Sequence, residues 1–244
     1  DGQAGALARV TNVKHPILAA QAVMENSPHV LLSGAGAEAF AREQGLEIVD
    51  PAWFYTEERY ESLQNAQKRE QKTGFIPDQK VRVPNLQNAR KREQKTGFVP
   101  QEIPDWKYGT VGAVALDGEG NLAAGTSTGG MTNKRWNRIG DSPIIGAGTW
   151  ADNETCAVSC TGHGEFFIRY AVAHDLAARL KYRGDELKQA ADDIVMQELE
   201  AIGAGGGLIA LDRQGNIALP FNTRGMFRGW IKPGEREVKM FADR

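Results

Sequence analysis

The sequence predicts an α+β fold in which sheets are sandwiched between helical layers. Three observations carry the prediction: helix-spaced and strand-like apolar runs alternate through the first third, a series of buried-strand runs follows residue 109, and two amphipathic helices precede a closing hairpin.

Taken in order, "HPILAAQAVMENS" (15–27) repeats apolar residues at helical spacing and "HVLLSG" (29–34) is a short buried strand. "GAEAFAREQG" (36–45) returns to a helix that stops at Gly45. From Pro51 one helix is expected through "PAWFYTEERYESLQNAQKREQK", with proline in its first turn and Gly74 beyond its end. Beyond it, "TVGAVALD" and "NLAAGTST" read as two strands joined by "GEG", each apolar enough to be covered on both faces. "PIIGAGTW" and "TCAVSCTG" read as further buried strands. "GEFFIRYAVAHDLAARLKY" and "GDELKQAADDIVMQELEAI" are expected as two helices, and "GGLIALDRQGNIALPF" as the final hairpin.

Between helix and strands lies a repeat: "LQNAQKREQKTGFIP" (63–77) returns as "LQNARKREQKTGFVP" (86–100), differing only at Gln67/Arg90 and Ile76/Val99. Two units are too few for a solenoid. An RNA-binding reading would use Lys68, Arg69, Lys72 and Lys91, Arg92, Lys95. The preferred reading is a duplicated solvated linker spanning about 63–106, because each "KREQK" also carries glutamate and only Phe75 and Phe98 offer a base-stacking surface.

Bulk properties narrow the function classes. The 244 residues, 41% of them hydrophobic, suffice for a sizeable core, and 29 basic against 31 acidic side chains leave a net charge of −2. No global field therefore favours nucleic acid or an anionic membrane. No apolar run reaches the ~20 residues of a membrane span, and the start lacks a secretory signal, so the expected compartment is the cytoplasm. Cys156 and Cys160, four apart on a strand, would sit roughly 13 Å from each other, too far for a disulfide.

The four histidines show no metal-ligand spacing, and "GAGGG" (203–207) follows a helix and reads as its stop. What remains is a set of hydroxyls and glycines at strand ends: Thr110, "TSTGG", "RIGDSP" and "TGHGE". A threonine hydroxyl is a weak nucleophile without an adjacent base, and a free α-amino group, pKa roughly 7.7–8.0, supplies one if Thr110 is an N-terminus. A solvated segment ending in Gly109 just before a strand is the layout such a cut requires.

"GTVGAVALD", "TSTGGMTNK", "RIGDSPIIGAG", "SCTGHGE" and "FNTRGM", in this order, resemble the plant-type (type III) L-asparaginases, or isoaspartyl peptidases, of the N-terminal nucleophile hydrolase superfamily; more loosely, so does "HPILAAQAVMENSPHVLLSGAGAEAFA". The resemblance implies a four-layer αββα sandwich, autoproteolysis between Gly109 and Thr110, and hydrolysis of L-asparagine and β-aspartyl dipeptides. One domain would then consist of an α-part, residues 1–109, and a β-part, residues 110–244. It further implies Thr110 as nucleophile with its own amine as base, and Thr128 as the hydroxyl bonded to it. Arg138 would hold the substrate α-carboxylate, Asp141 and the Gly164 carbonyl the α-ammonium, and Thr161 with Gly162 would donate to the oxyanion. His163 is expected to be structural, and Asn222 and Thr223 to support the pocket wall. The implied partners are a small-molecule or dipeptide substrate and a second α/β unit forming a dimer, with no nucleic acid, membrane, cofactor or metal. The family's sodium-binding loop and first strand precede the segments found here, so the sandwich is expected to be incomplete at its N-terminus, either in a fragment or completed by another chain. Alternatives are a glycosylasparaginase-like hydrolase, which predicts a secreted, disulfide-bearing protein, and an uncleaved scaffold-like relative.

Overall fold

The computed structural model describes residues 2–73 and 109–241. The second repeat copy and most of the expected linker lie outside the described residues.

Strand β1 (Ala6–Ala8) pairs in parallel with β2 (Leu31–Ser33), joined through helix α1 (Pro16–Asn26). Helix α2 (Gly34–Glu43) follows, and Gly45 beyond it takes a left-handed φ of 72°. Val13, Ala19 and Ala41 close a small core with Leu7, Val10, Leu46 and Ile48. The single helix expected from Pro51 is two pieces. A 3₁₀ turn at Pro51–Phe54 is capped by Asp50, whose carboxylate accepts from Ala52 N at 2.8 Å; Tyr55 is extended. Thr56 Oγ1 then accepts from Arg59 N and opens α3 (Glu57–Thr73). The first repeat copy is therefore helical as far as Thr73, and Ala66 within it is buried.

Strands β3 (Thr110–Leu116) and β4 (Leu122–Thr128) form an antiparallel hairpin with Thr110 opposite Thr128. A second sheet runs β5 (Thr149–Ala151), β6 (Cys156–Gly162), β7 (Gly206–Asp212), β8 (Ile217–Ala218), all antiparallel. Of "PIIGAGTW" only Thr149 and Trp150 are in a strand, as the start of β5. Ala147 N and Gly148 N turn back to the Ile144 carbonyl, and Gly146 is left-handed at φ 87°.

The two sheets stack face to face. Strand alternation sends Cys156, Val158 and Cys160 to one face and Ser159 and Thr161 to the other. Ser159 Oγ meets Thr126 Oγ1 at 2.7 Å, and a Cβ at Gly112 would collide with Ser159, so the interface requires glycine there. The outer face of the β3–β4 hairpin is only partly covered: Ile17 of α1 lies against Gly125, while Val111 is 68% exposed, so β3 is not the doubly covered strand that its apolar sequence suggests.

The opposite face of β6 and β7 carries the main core, in which Val158, Leu208, Phe167, Val172, Leu176 and Val195 are fully buried. It is covered by α4 (Gly164–Tyr170), α5 (Val172–Ala178) and α6 (Leu187–Asp192). The first expected helix breaks between α4 and α5 at Ala171, which is left-handed (φ 47°) and lets the chain turn over the sheet. Both α5 and α6 continue as wider π-type turns, Arg179–Arg183 and Asp193–Leu199. Arg179, buried, ties the two together through Asp175 and Glu198. A further hairpin, β9 (Arg228–Lys232) and β10 (Glu235–Lys239), turns at Pro233-Gly234 and leaves Ile231 and Val238 outside the core.

Candidate active site

The loop ends fix how the sheets are aligned. Asn153, just before β6, accepts from Leu122 N at 2.7 Å, at the start of β4; farther along, Thr126 meets Ser159. Strands β4 and β6 therefore run side by side in the same direction, and their C-terminal ends, Thr128 and Thr161–Gly162, emerge together. Thr110 joins them through its register with Thr128. By strand alternation Thr110 and Thr128 share the face of Gly112 and Thr126, and Thr161 shares that of Ser159, so all three hydroxyls face the cleft between the sheets.

Thr110 Oγ1 donates to Thr128 Oγ1 at 3.4 Å, and Gly130 N–H donates to the same oxygen at 3.0 Å. Thr128 Oγ1 therefore accepts two hydrogen bonds, one for each lone pair of its oxygen. Gly109 is exposed, and the Arg59 guanidinium of α3 lies 3.4 Å from where its Cβ would be.

Gly162 and its neighbours are glycine for steric reasons. A Cβ at Gly162 (φ 146°) would sit 2.5 Å from the Gly205 carbonyl, and one at Gly206 2.5 Å from the Thr161 carbonyl. "GAGGG" is thus more than a helix stop: Gly206 and Gly207 pair with Gly162 and Thr161 and allow their backbone to pass closely. Asn222 holds this arrangement, accepting from Gly206 N at 2.8 Å and donating to the Val195 and Ala204 carbonyls at 3.0 Å each. The Thr223 hydroxyl instead closes locally onto the Gly225 carbonyl. His163 Nδ1 accepts from Gly205 N at 3.2 Å.

Arg138, Asp141 and Gly164 form a second cluster. Thr126 Oγ1 and Cys160 N both reach the Gly148 carbonyl, and a Cβ at Gly148 would lie 2.5 Å from the Asp141 carbonyl, so Asp141 is packed directly behind the sheet interface. A Cβ at Gly164 would lie 2.7 Å from Asp141 Oδ1 and 2.8 Å from Arg138 Nη2. Asp141 is only 5% exposed, and among the described residues its Oδ2 has no hydrogen-bond partner. Burial is the main cause that pushes its carboxyl up to about 6; Arg138 opposes the shift and Glu165 adds to it. Because the folded pKa lies above the ordinary 3.8, the associated stability is fully present below about pH 4 and is lost as pH rises through 6, on the order of 3 kcal/mol in the unliganded protein.

Arg138 and Asp141 stand three residues apart, a spacing that suits a surface ion pair or a turn contact. The partner of Arg138 is instead Glu165, bonded bidentately at 2.7 Å from both Nε and Nη2. Burial alone would raise the Glu165 carboxyl, but the hydrogen bonds and charge of Arg138 outweigh it and hold it below the usual range. Glu165 stands in the quoted "TGHGE" and its adjacency to Gly164 was its only signal. The loop carrying Arg138 has left-handed Asn133, Trp136 and Asn137 (φ 56°, 50° and 58°), and Glu70 of α3 grips it through Asn133 Nδ2 at 2.9 Å and through Arg135.

Cys156 and Cys160 are free and buried, as their spacing implies; burial raises both thiols, Cys156 to about 12. Among the described residues no group of three or more histidine, cysteine or acidic side chains is arranged to hold a metal, and no helix is long and apolar enough to cross a membrane.

The family model described as Asparaginase matches residues 1–240. The chain is 49% identical over 237 residues to "Isoaspartyl peptidase" of Escherichia coli (strain K12), covering 96% of this chain and 66% of that protein. It is 43% identical over 227 residues to "Probable isoaspartyl peptidase/L-asparaginase 2" of Arabidopsis thaliana, covering 92% and 67%. To "Plant-type L-asparaginase" of Pyrobaculum calidifontis it is 40% identical over 243 residues, covering 98% and 72%. The chain thus spans about two thirds of the length of these curated relatives. With the hydroxyls and the Arg138–Asp141–Gly164 cluster standing in the quoted motifs, and a family match running through nearly every described residue, the chain belongs to the asparaginase family.

Proposed function

We propose that the protein is an amidohydrolase activated by cleavage between Gly109 and Thr110, and that it hydrolyses L-asparagine and β-aspartyl dipeptides. The observation that carries this reading is the Thr110 Oγ1–Thr128 Oγ1 hydrogen bond at the exposed Gly109–Thr110 junction. In the first event, Thr110 Oγ attacks the Gly109 carbonyl carbon, the peptide C–N bond breaks, and an ester forms with the Thr110 amine released. Water then opens the ester to a Gly109 carboxylate and a free hydroxyl. Residues 1–109 and 110–244 become the α- and β-parts of one domain.

In turnover the freed amine takes the Thr110 hydroxyl proton as Oγ attacks the side-chain amide of the substrate. The Thr161 hydroxyl and Gly162 N–H donate to the oxyanion; one such donor is worth on the order of 10²-fold in rate. The amine returns the proton to the leaving ammonia or amino group, and water hydrolyses the β-aspartyl ester to release aspartate. Arg138, oriented by Glu165, takes the substrate α-carboxylate. Asp141 and the Gly164 carbonyl take the α-ammonium, which gives the unpartnered Asp141 Oδ2 a cation. No step runs through a cofactor.

The succession of α1, the β3–β4 hairpin, the β5–β8 sheet and α4–α6 supports the αββα sandwich for this chain, and the two free thiols support a cytoplasmic setting. A dimer of α/β units completes the reading. The test is aspartate release from L-asparagine and β-aspartyl-leucine by the self-cleaved protein: both are expected to react, and inertness toward both overturns the proposal.

A further inference from the structure

Three cations follow Thr128 in "TSTGGMTNKRWNR", and two of them have carboxylates. Arg135 is engaged by Glu70 and Arg138 by Glu165. Lys134 differs. Its Nζ donates to the Gly129 carbonyl at 2.5 Å and lies 2.8 Å from where a Cβ of Gly130 would be. Gly130 is the residue whose N–H donates to Thr128 Oγ1, so this ammonium borders the hydroxyl pair. Among the described residues no carboxylate lies within ion-pairing distance of Lys134. Burial lowers its pKa, and the neighbouring charge of Arg138, another cation, adds to the shift. Its side chain is nonetheless exposed, open to a molecule arriving at the cleft. An ammonium has three donors, and the carbonyl accounts for one.

On the amidohydrolase reading above, Arg138 takes the α-carboxylate of the aspartyl half. A β-aspartyl dipeptide brings a second carboxylate, on the leaving residue; asparagine, whose leaving group is ammonia, brings none. We infer that Lys134 binds the carboxylate of the leaving residue and sets a preference for β-aspartyl dipeptides with a free C-terminus. A site that offers charged donors to a group discriminates strongly against the analogue lacking it.

The minimal probe is β-aspartyl-leucine against β-aspartyl-leucinamide, which differ only in that carboxylate. In the self-cleaved protein, kcat/KM is expected to favour the free acid at least tenfold, the scale of a charge-assisted hydrogen bond. Lys134→Met is expected to bring the acid-to-amide ratio close to one, and Lys134→Arg to preserve it. Equal turnover of acid and amide by the unsubstituted protein overturns the inference without any variant having to fold. A ratio unchanged in Lys134→Met also overturns it and assigns the lysine to pinning the Gly129–Gly130 turn. No turnover of acid, amide or asparagine would overturn the amidohydrolase reading, and this inference with it.

Discussion

The hairpins β3–β4 and β7–β8 are built on one local pattern, "ALDGEGNLA" and "ALDRQGNIA", yet do different work. In each, the aspartate Oδ1 accepts from the backbone N–H groups two and four residues on: Asp117 from Glu119 at 2.9 Å and Asn121 at 2.7 Å, Asp212 from Gln214 at 3.0 Å and Asn216 at 2.8 Å. In each, the asparagine amide returns to Oδ2, at 2.9 and 2.8 Å. The two tips touch, since a Cβ at Gly120 would lie 2.9 Å from Arg213 Nε, so the open ends also lie together. At that end the first hairpin supplies hydroxyls, Thr110 and Thr128. The second supplies space, Gly206 and Gly207, beside Thr161 and Gly162. A turn motif thus sets the geometry twice, while the residues at the opposite end differ: a reactive end of hydroxyls, on the proposed function, against a yielding end of glycines.

The largest effect should come from the reactive end. Thr110→Ala is expected to abolish both self-cleavage and aspartate release, a loss on the order of 10⁴-fold or more, read by electrophoresis and steady-state assay; retained turnover would assign the nucleophile elsewhere. Next comes the buried carboxylate behind the reactive hairpin. Asp141→Asn should raise KM for asparagine on the order of 10²-fold, since it removes the anion facing the ammonium. The same change should raise the melting temperature of the unliganded protein at pH 7, because a buried, unpaired charge is gone. In the unsubstituted enzyme KM should climb as pH falls through about 6, where Asp141 takes up a proton; a KM flat from pH 7 to pH 5 would contradict that assignment.

The yielding end should respond through stability. Gly206→Ala places a Cβ 2.5 Å from the Thr161 carbonyl and 2.7 Å from Phe167 Cζ, and is expected to cost about 1–3 kcal/mol in denaturant unfolding. The smallest differences lie in the shared turns. Asp212, 6% exposed, should cost about 2 kcal/mol on replacement by alanine, and the solvent-exposed Asp117 measurably less, although their hydrogen bonds match. Equal losses would show that burial does not separate the two hairpins.

The residues that the structure gathers into the candidate site stand at strand ends in short, hydroxyl- and glycine-rich motifs visible in the sequence, and β3, β4, β6 and β7 fall where their apolar runs place them. The rest depends on contacts between segments. Glu165 reaches Arg138 across 27 positions, and no local pattern announces that the arginine is already held. The grip of Glu70 on the Asn133–Arg135 loop likewise spans more than 60 positions and gives the first repeat copy a packing role that a polar composition conceals. Ala171 breaks a continuous amphipathic pattern without glycine or proline, since the turn over the sheet selects it rather than local propensity. Strand β1 is three residues of "ALA", too short and bland to carry a period, and β9–β10 presents Ile231 and Val238 to solvent, against the inward alternation that would mark a strand.

The central claim is that the open end of the first hairpin becomes a chain terminus. N-terminal sequencing of the bands that the 244-residue chain gives on denaturing electrophoresis tests it directly. The account predicts two fragments, one beginning Thr110-Val111-Gly112-Ala113; a chain that stays intact, or a cut at any other bond, would contradict it.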